Sequence, residues 1–251
     1  MNENPFPKFG IEHLSPSSCN QWAASPAAFI LQRLMKHSVP VGAAAHRGNS
    51  VEAGIIHGLL DPQAPVSDCI GIAMEKFRTL TAMSIDPRLP KETDSIAGFV
   101  EQGLTELRPY GIPSSTQGKV EYFVPGLHVP LIGFYDIEWA ATNIIVDIKT
   151  THALPSKITS AHARQVALYS ASRGNASGRI SYVTSKKAAT YGLENVAEHV
   201  KALGQVALTI QKFLSISEDP LELASMISPD VDSFYFADAI TRKAVYEIWG
   251  I

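Results

Sequence analysis

Cysteine is nearly absent from this sequence: its 251 residues hold two, Cys19 and Cys69, and no C-x-x-C. That excludes a disulfide framework and any cluster needing four cysteines of one chain. Long apolar runs are missing too, and none approaches the ~18 residues that a membrane-spanning helix needs. The opening MNENPFPKFG has neither the basic segment nor the apolar stretch of a secretory signal. The expectation is a cytosolic protein with no membrane partner. There is no H-E-x-x-H and the eight histidines are scattered, which argues against a zinc hydrolase. Gly118-Lys119 has no glycine five residues earlier and is followed by Val120, so no phosphate-binding loop forms there. In G-N-A-S-G at 174–178 the serine sits one place late for a nucleophile elbow. Internal repeats and low-complexity stretches are absent as well.

What remains is globular. With 45% hydrophobic and 18% charged residues, the chain carries ample apolar surface for a core. A net charge of −3 gives no global case for nucleic acid, but the distribution is uneven. Between Ile148 and Leu193 there is no Asp or Glu, while Lys149, Lys157, Arg164, Arg173, Arg179, Lys186 and Lys187 all fall there. From Glu194 onward acidic residues outnumber basic ones. A localised cationic face suits a phosphate-rich ligand.

Periodicity and punctuation predict a helical first half. Residues 16–36 read as two short helices, the second opened by Ser25-Pro26 as cap and first helical residue. NSVEAGIIHGLL, from Asn49, reads as a helix that is apolar almost all round and therefore buried, with Glu52 and His57 its polar interruptions. Helices follow at about 68–80 and 94–107, separated by the proline-bearing loop IDPRLPKET. GIPSSTQG then leads into a β-rich segment. Strands are predicted at 119–124, 131–140 and 143–151, the last two joined by a tight turn at Ala141-Thr142. A helix at about 158–172, a strand at 179–185 and a long amphipathic helix at 194–216 complete an α/β core with flanking helices.

Asp136 and Asp147 lie symmetrically about that turn. In an antiparallel hairpin they face each other with Cα atoms roughly 4.5–5.5 Å apart. Opposed carboxylates repel unless a cation lies between them. Lys149, two residues beyond Asp147, leaves the same face of its strand, while Val146 and Ile148 point the other way, to the core. Two hard oxygen ligands and one ammonium on one sheet face suit Mg²⁺, with Mn²⁺ as substitute. A cross-strand ion pair on a solvated sheet is the blander alternative.

Taken together, these residues resemble the RecB-like exonuclease branch of the PD-(D/E)XK nucleases. Arg47-Gly48 followed by Gly54-Ile55-Ile56-His57 is similar to the family's arginine-glycine and G-x-x-x-H helix. Gly133-Phe134-Tyr135-Asp136 resembles the strand of the first acidic ligand, and Val146-Asp147-Ile148-Lys149-Thr150 the D-x-K-T strand. Gln165-Val166-Ala167-Leu168-Tyr169 resembles the Q-x-x-x-Y helix, and His13-Leu14-Ser15-Pro16-Ser17-Ser18 the family's opening segment. The matches span about residues 13–187.

The resemblance implies a single domain over 1–251, with a restriction-endonuclease-like mixed sheet at about 45–187 and extra helices at 1–44 and 194–251. It implies metal ligation by His57, Asp136, Asp147 and the carbonyl of Ile148, with Asp136, Asp147 and Lys149 catalytic. Gln165, Tyr169, Arg47, His162, Arg164, Lys186 and Lys187 would contact DNA or brace the site, and Glu52 and Glu121 are second-rank acids. The expected activity is that of a stand-alone Mg²⁺-dependent deoxyribonuclease, an exonuclease rather than an endonuclease, acting in DNA recombination, repair or replication. No iron–sulfur cluster and no ATP are expected. The setting would be a bacterial or phage-infected cell, with a single-strand annealing or single-strand-binding protein as candidate partner. The alternative is a non-catalytic DNA-binding or assembly module on the same fold.

Overall fold

The computed structural model describes residues 3–251. In chain order the helices and strands are α1 (Pro16–Ala24), α2 (Pro26–Phe29, continued by a π-helical turn Ile30–Leu34), α3 (Ala43–Leu60), α4 (Val66–Thr81) and α5 (Leu89–Leu107). Strands β1 (Ser115–Tyr122), β2 (Leu131–Trp139) and β3 (Ile144–Thr150) follow, then α6 (Ser160–Ser172), β4 (Ser177–Val183) and β5 (Ala188–Gly192). Three further helices end the chain: α7 (Val196–Leu214), α8 (Pro220–Ser225) and α9 (Ala239–Trp249). The five strands form one sheet in the order β1-β2-β3-β4-β5. β3 pairs antiparallel with β2 and parallel with β4, and β4 pairs antiparallel with β5. This is a mixed sheet in an α/β protein.

Residues divide into two compact units. One comprises the chain up to Pro40, Glu121–Gly133 and Ala197–Ile251; the other comprises Val41–Val120 and Phe134–Val196. In the first, Ser15 caps α1 through a reciprocal bond with Ser18, and Ser25 caps α2 by accepting from Ala28 N–H. These caps satisfy backbone donors that a helix start otherwise leaves unpaired. Trp22 packs edge-on to Phe29 at 5.4 Å and against Phe213 of α7 at 4.9 Å. The Gln211 side chain accepts from His128 N–H and donates to the Gly126 carbonyl, clamping that turn to α7.

The second unit holds the candidate site. α3, α4 and α5 pack into a layer around Val51, Ile55, Leu59, Cys69, Ala73, Phe99 and Leu104. Gly54 and Gly58 permit the close α3–α4 approach: a Cβ would lie 2.6 Å from the Cys69 carbonyl at one and 2.7 Å from its sulfur at the other. Ile137, Trp139, Val146, Ile148 and Val183 of the sheet join the same core. Strand alternation therefore turns Asp136, Asp147 and Lys149 to the opposite face, where α6 packs on β3 and β4.

Several boundaries differ from the sequence reading. α3 begins six residues before Asn49 and is not buried all round, because Glu52, Ala53, Ile56 and His57 are half-buried and Leu60 is 50% exposed. α5 starts at Leu89, inside the expected loop; Pro90 fits its first turn, where no amide donor is needed. β1 begins at Ser115 rather than Lys119, and β5 was not expected at all.

Candidate active site

The hairpin register is the expected one. Ile137 opposes Val146, Glu138 opposes Ile145 and Trp139 opposes Ile144, so the next pair in that series would be Asp136 with Asp147. The backbone ladder stops one step short of it. There the Ile148 N–H donates to Asp136 Oδ2 at 2.6 Å, so the carboxylate takes the place of a strand partner. Asp136 is 8% and Asp147 1% exposed. Lys149 Nζ lies 2.7 Å from Asp147 Oδ2. That ammonium is the partner of this buried oxygen.

α6 supports Asp147 from the other side. Gln165, four residues before Tyr169 and so on the same helix face, donates to Asp147 Oδ1 at 3.1 Å and to the Tyr169 hydroxyl at 2.7 Å. Thr159 caps α6, and His162 Nδ1 lies 2.7 Å from the Tyr182 hydroxyl. Burial, then the Lys149 charge, pushes His162 below its ordinary value. Burial and then the Asp147 charge raise the Tyr169 phenol far above its ordinary range, which keeps it a neutral hydrogen-bonding group.

Glu52 is linked to Asp136 through a shared side chain. Gln117 of β1 donates to Glu52 Oε1 and, at 3.4 Å, to Asp136 Oδ1. Burial and the Asp147 charge lift the Glu52 carboxyl above its usual range, against Lys76 and Lys149. Asp136 is raised well above its ordinary value by burial, then by Asp147 and Glu52. Lys149 is also raised: burial opposes its charge, but Asp147, Asp136 and Glu52 outweigh that. His57 lies five residues beyond Glu52, about 140° around the helix, and the two line the same groove.

The other expected residues separate by position. Arg47 is buried; its guanidinium pairs with Glu92, donates to Thr150 Oγ1 at 3.3 Å and stacks 4.4 Å over Phe99. It ties α3 to α5 and to the end of β3, so within the two roles expected for it the geometry is that of a brace. Lys186 and Lys187 are exposed in the β4–β5 turn, which Thr184 closes. That turn follows Val183, the partner of Thr150, so it stands at the Lys149 end of the sheet. Arg164 is half-buried on α6, and Glu121 is exposed on β1. Arg173 and Arg179 leave the basic stretch: the first binds Glu138, and the second donates to the Tyr110 hydroxyl at 3.0 Å. Gln117 escaped the sequence reading, because its signal is a backbone φ of +52° inside a strand.

Among the described residues, no group of three His, Cys, Asp or Glu side chains stands ready-made to hold a metal ion. The donor chemistry nonetheless fits a hard divalent cation. Burial and the neighbouring acids raise Asp136 and Glu52, the buried Asp147 Oδ2 has Lys149 as its ion-pair partner, and that ammonium faces all three carboxylates.

No family model matches the chain, and no curated protein matches it. A solved structure described as "Crystal structure of SSO0001" resembles it at 15% identity and a TM-score of 0.34, over 74% of this chain and 84% of that one.

Proposed function

We propose that this chain is a divalent-metal-dependent DNA nuclease on a PD-(D/E)XK core of the RecB-like branch, hydrolysing phosphodiesters from DNA ends. One observation carries the reading. Asp136 and Asp147 stand one position past the paired stretch of a D-x-K hairpin with Glu52 nearby, and Lys149 neutralises this charge only in part.

Asp136, Asp147 and Glu52 are the residues that would hold Mg²⁺, with the Ile148 carbonyl a further candidate. The cation would supply charge neutralisation at the scissile phosphate and a water of lowered pKa. The protein's own groups do the positioning. Lys149, kept protonated by its acidic neighbours, supplies a fixed positive charge 2.7 Å from Asp147 and offers N–H donors to the attacked phosphoryl oxygen. Gln165 and Tyr169 fix the Asp147 rotamer, and Asp136 is fixed by the Ile148 amide. Lys186 and Lys187 present charge to the DNA backbone at this end of the sheet.

The test is cleavage of end-labelled linear DNA, single- and double-stranded, beside a covalently closed circle, in Mg²⁺, Mn²⁺ or EDTA. Metal-dependent loss of the linear substrates, absent in Asp147→Asn, is the expected result. Cutting of the circle would make it an endonuclease. DNA binding without cleavage would favour the non-catalytic module.

A further inference from the structure

α6 meets the sheet along one polar stripe. At 100° per residue, His162, Gln165, Tyr169 and Arg173 fall within about 80° of one another, and each reaches a strand. His162 meets Tyr182 of β4, Gln165 donates to Asp147 of β3, and the Tyr169 phenol oxygen accepts from the Phe134 amide of β2. At the end of the helix Arg173 forks onto Glu138 of β2. Its Nε and Nη2 lie 3.1 and 2.8 Å from Oε1, and Nη2 lies 2.9 Å from Oε2. Three of the four contacts therefore fall on the strands that carry Asp136 and Asp147.

Those two strands need a tie from outside. Their backbone pairing ends at Ile137 with Val146, so the ladder no longer sets the separation of the two aspartates one step beyond it. Glu138 is a fixed point inside the ladder, opposite Ile145. It is buried, and its Oε2 also accepts from the Tyr135 and Ser115 hydroxyls at 2.7 and 2.9 Å. A bidentate arginine fixes direction as well as distance, so the fork locks α6 to that point. Gln165, eight residues earlier and about 12 Å back along the helix, then comes to lie against Asp147 Oδ1.

We infer that Arg173 and Glu138 are a positioning pair for the proposed metal centre. They set α6 over the open end of the β2–β3 ladder, and through Gln165 they hold Asp147 at its distance from Asp136. The inference rests on the nuclease reading and adds to it a control point remote from the residues that would touch metal or phosphate.

The experiment measures Mn²⁺ affinity by calorimetry, and kcat and KM on end-labelled linear DNA. Wild type, Arg173→Ala, Gln165→Ala, the double variant and Arg179→Ala are compared, with circular dichroism confirming each fold. Arg173→Ala leaves Glu138 its two hydroxyl donors, so the chain should still fold. The variant should weaken Mn²⁺ binding and lower kcat about tenfold each, the lower end for groups that orient metal ligands, with KM little changed. Arg179→Ala removes an equal charge, one bound instead to Tyr110, and should match wild type. Side chains this far apart with no shared partner act additively. Because Arg173 acts through Gln165, its loss should add less than about twofold to Gln165→Ala. Wild-type Mn²⁺ affinity in Arg173→Ala, or a loss that persists in full beside Gln165→Ala, would overturn the inference. Asp147-dependent cleavage by wild type would then leave the nuclease reading standing. Should Arg173→Ala not fold, Arg173→Lys keeps the charge without the fork and is read in its place. Wild type that neither cleaves nor binds Mn²⁺ would remove the nuclease reading, and this inference with it.

Discussion

Replacing Arg47 by Met separates a brace from a DNA contact. The Arg47 and Glu92 side chains are each 3% exposed and form an ion pair. With the guanidinium gone, Glu92 keeps the His152 ring, 3.5 Å away and largely exposed, and the more distant Arg88 charge. Breaking one partner of a buried pair costs ~3–5 kcal/mol, since the remaining charge stays desolvated. At ~2–4 °C per kcal/mol for a chain of this size, Tm should fall by about 6–20 °C. The double variant Arg47→Met/Glu92→Leu removes both charges and adds apolar volume beside Phe99. Its stability should equal that of wild type or exceed it by ~1–4 kcal/mol. Thermal and urea unfolding followed by circular dichroism give both values, and DNA affinity measured on the double variant should stay at the wild-type level. A single-variant loss below ~1 kcal/mol, the behaviour of a surface pair, would refute the burial argument. A folded double variant that no longer binds DNA would refute the bracing role.

Other expectations follow from the same geometry. Asp136 is held well above its ordinary 3.8 by burial and by its acidic neighbours, so the folded chain binds that proton more tightly than the unfolded chain. Its stabilising share is therefore full below the unfolded value and is lost as pH rises through the folded one. In metal-free buffer this group removes up to ~1.4 kcal/mol per pH unit across that window, a slope Asp136→Asn should abolish in urea unfolding at graded pH. Gln117 occupies a left-handed conformation, so Gln117→Gly should be more stable than Gln117→Ala by ~1 kcal/mol, measured in the same way. A Cβ at Gly98 would lie 2.4 Å from the Ser185 carbonyl, so Gly98→Ala should cost ~1–3 kcal/mol as α5 is pushed from the turn carrying Lys186 and Lys187. An unchanged melt would contradict that packing.

The residues differ in how far sequence could place them. The β2–β3 register was legible because both strands are strongly β-prone and the turn between them is short, which leaves one symmetric pairing. Pairing arithmetic could not show the ladder ending at Ile137, because that depends on a side chain, Asp136, taking the Ile148 amide. α3 was legible as a helix, but its open face was not. An apolar stripe reads as core until the neighbouring helix is seen to leave a groove beside it. Glu52 and His57 show the same limit: both are polar interruptions of one helix, and the sequence does not reveal that Gln117 of β1 bridges Glu52 to Asp136. β5, A-A-T-Y-G, has too little β-branched content to announce itself and exists because β4 offers it an edge. Arg47 carried a motif signal without revealing that its partner, Glu92, lies on a different helix.

Under the proposed function, Glu52, Asp136 and Asp147 act as one divalent-cation centre. Calorimetric titration of Mn²⁺ into metal-free wild type and into folded Asp136→Asn tests it most directly. Wild type should bind Mn²⁺ saturably and the variant should not. No binding by wild type, or the same isotherm for both proteins, would contradict it.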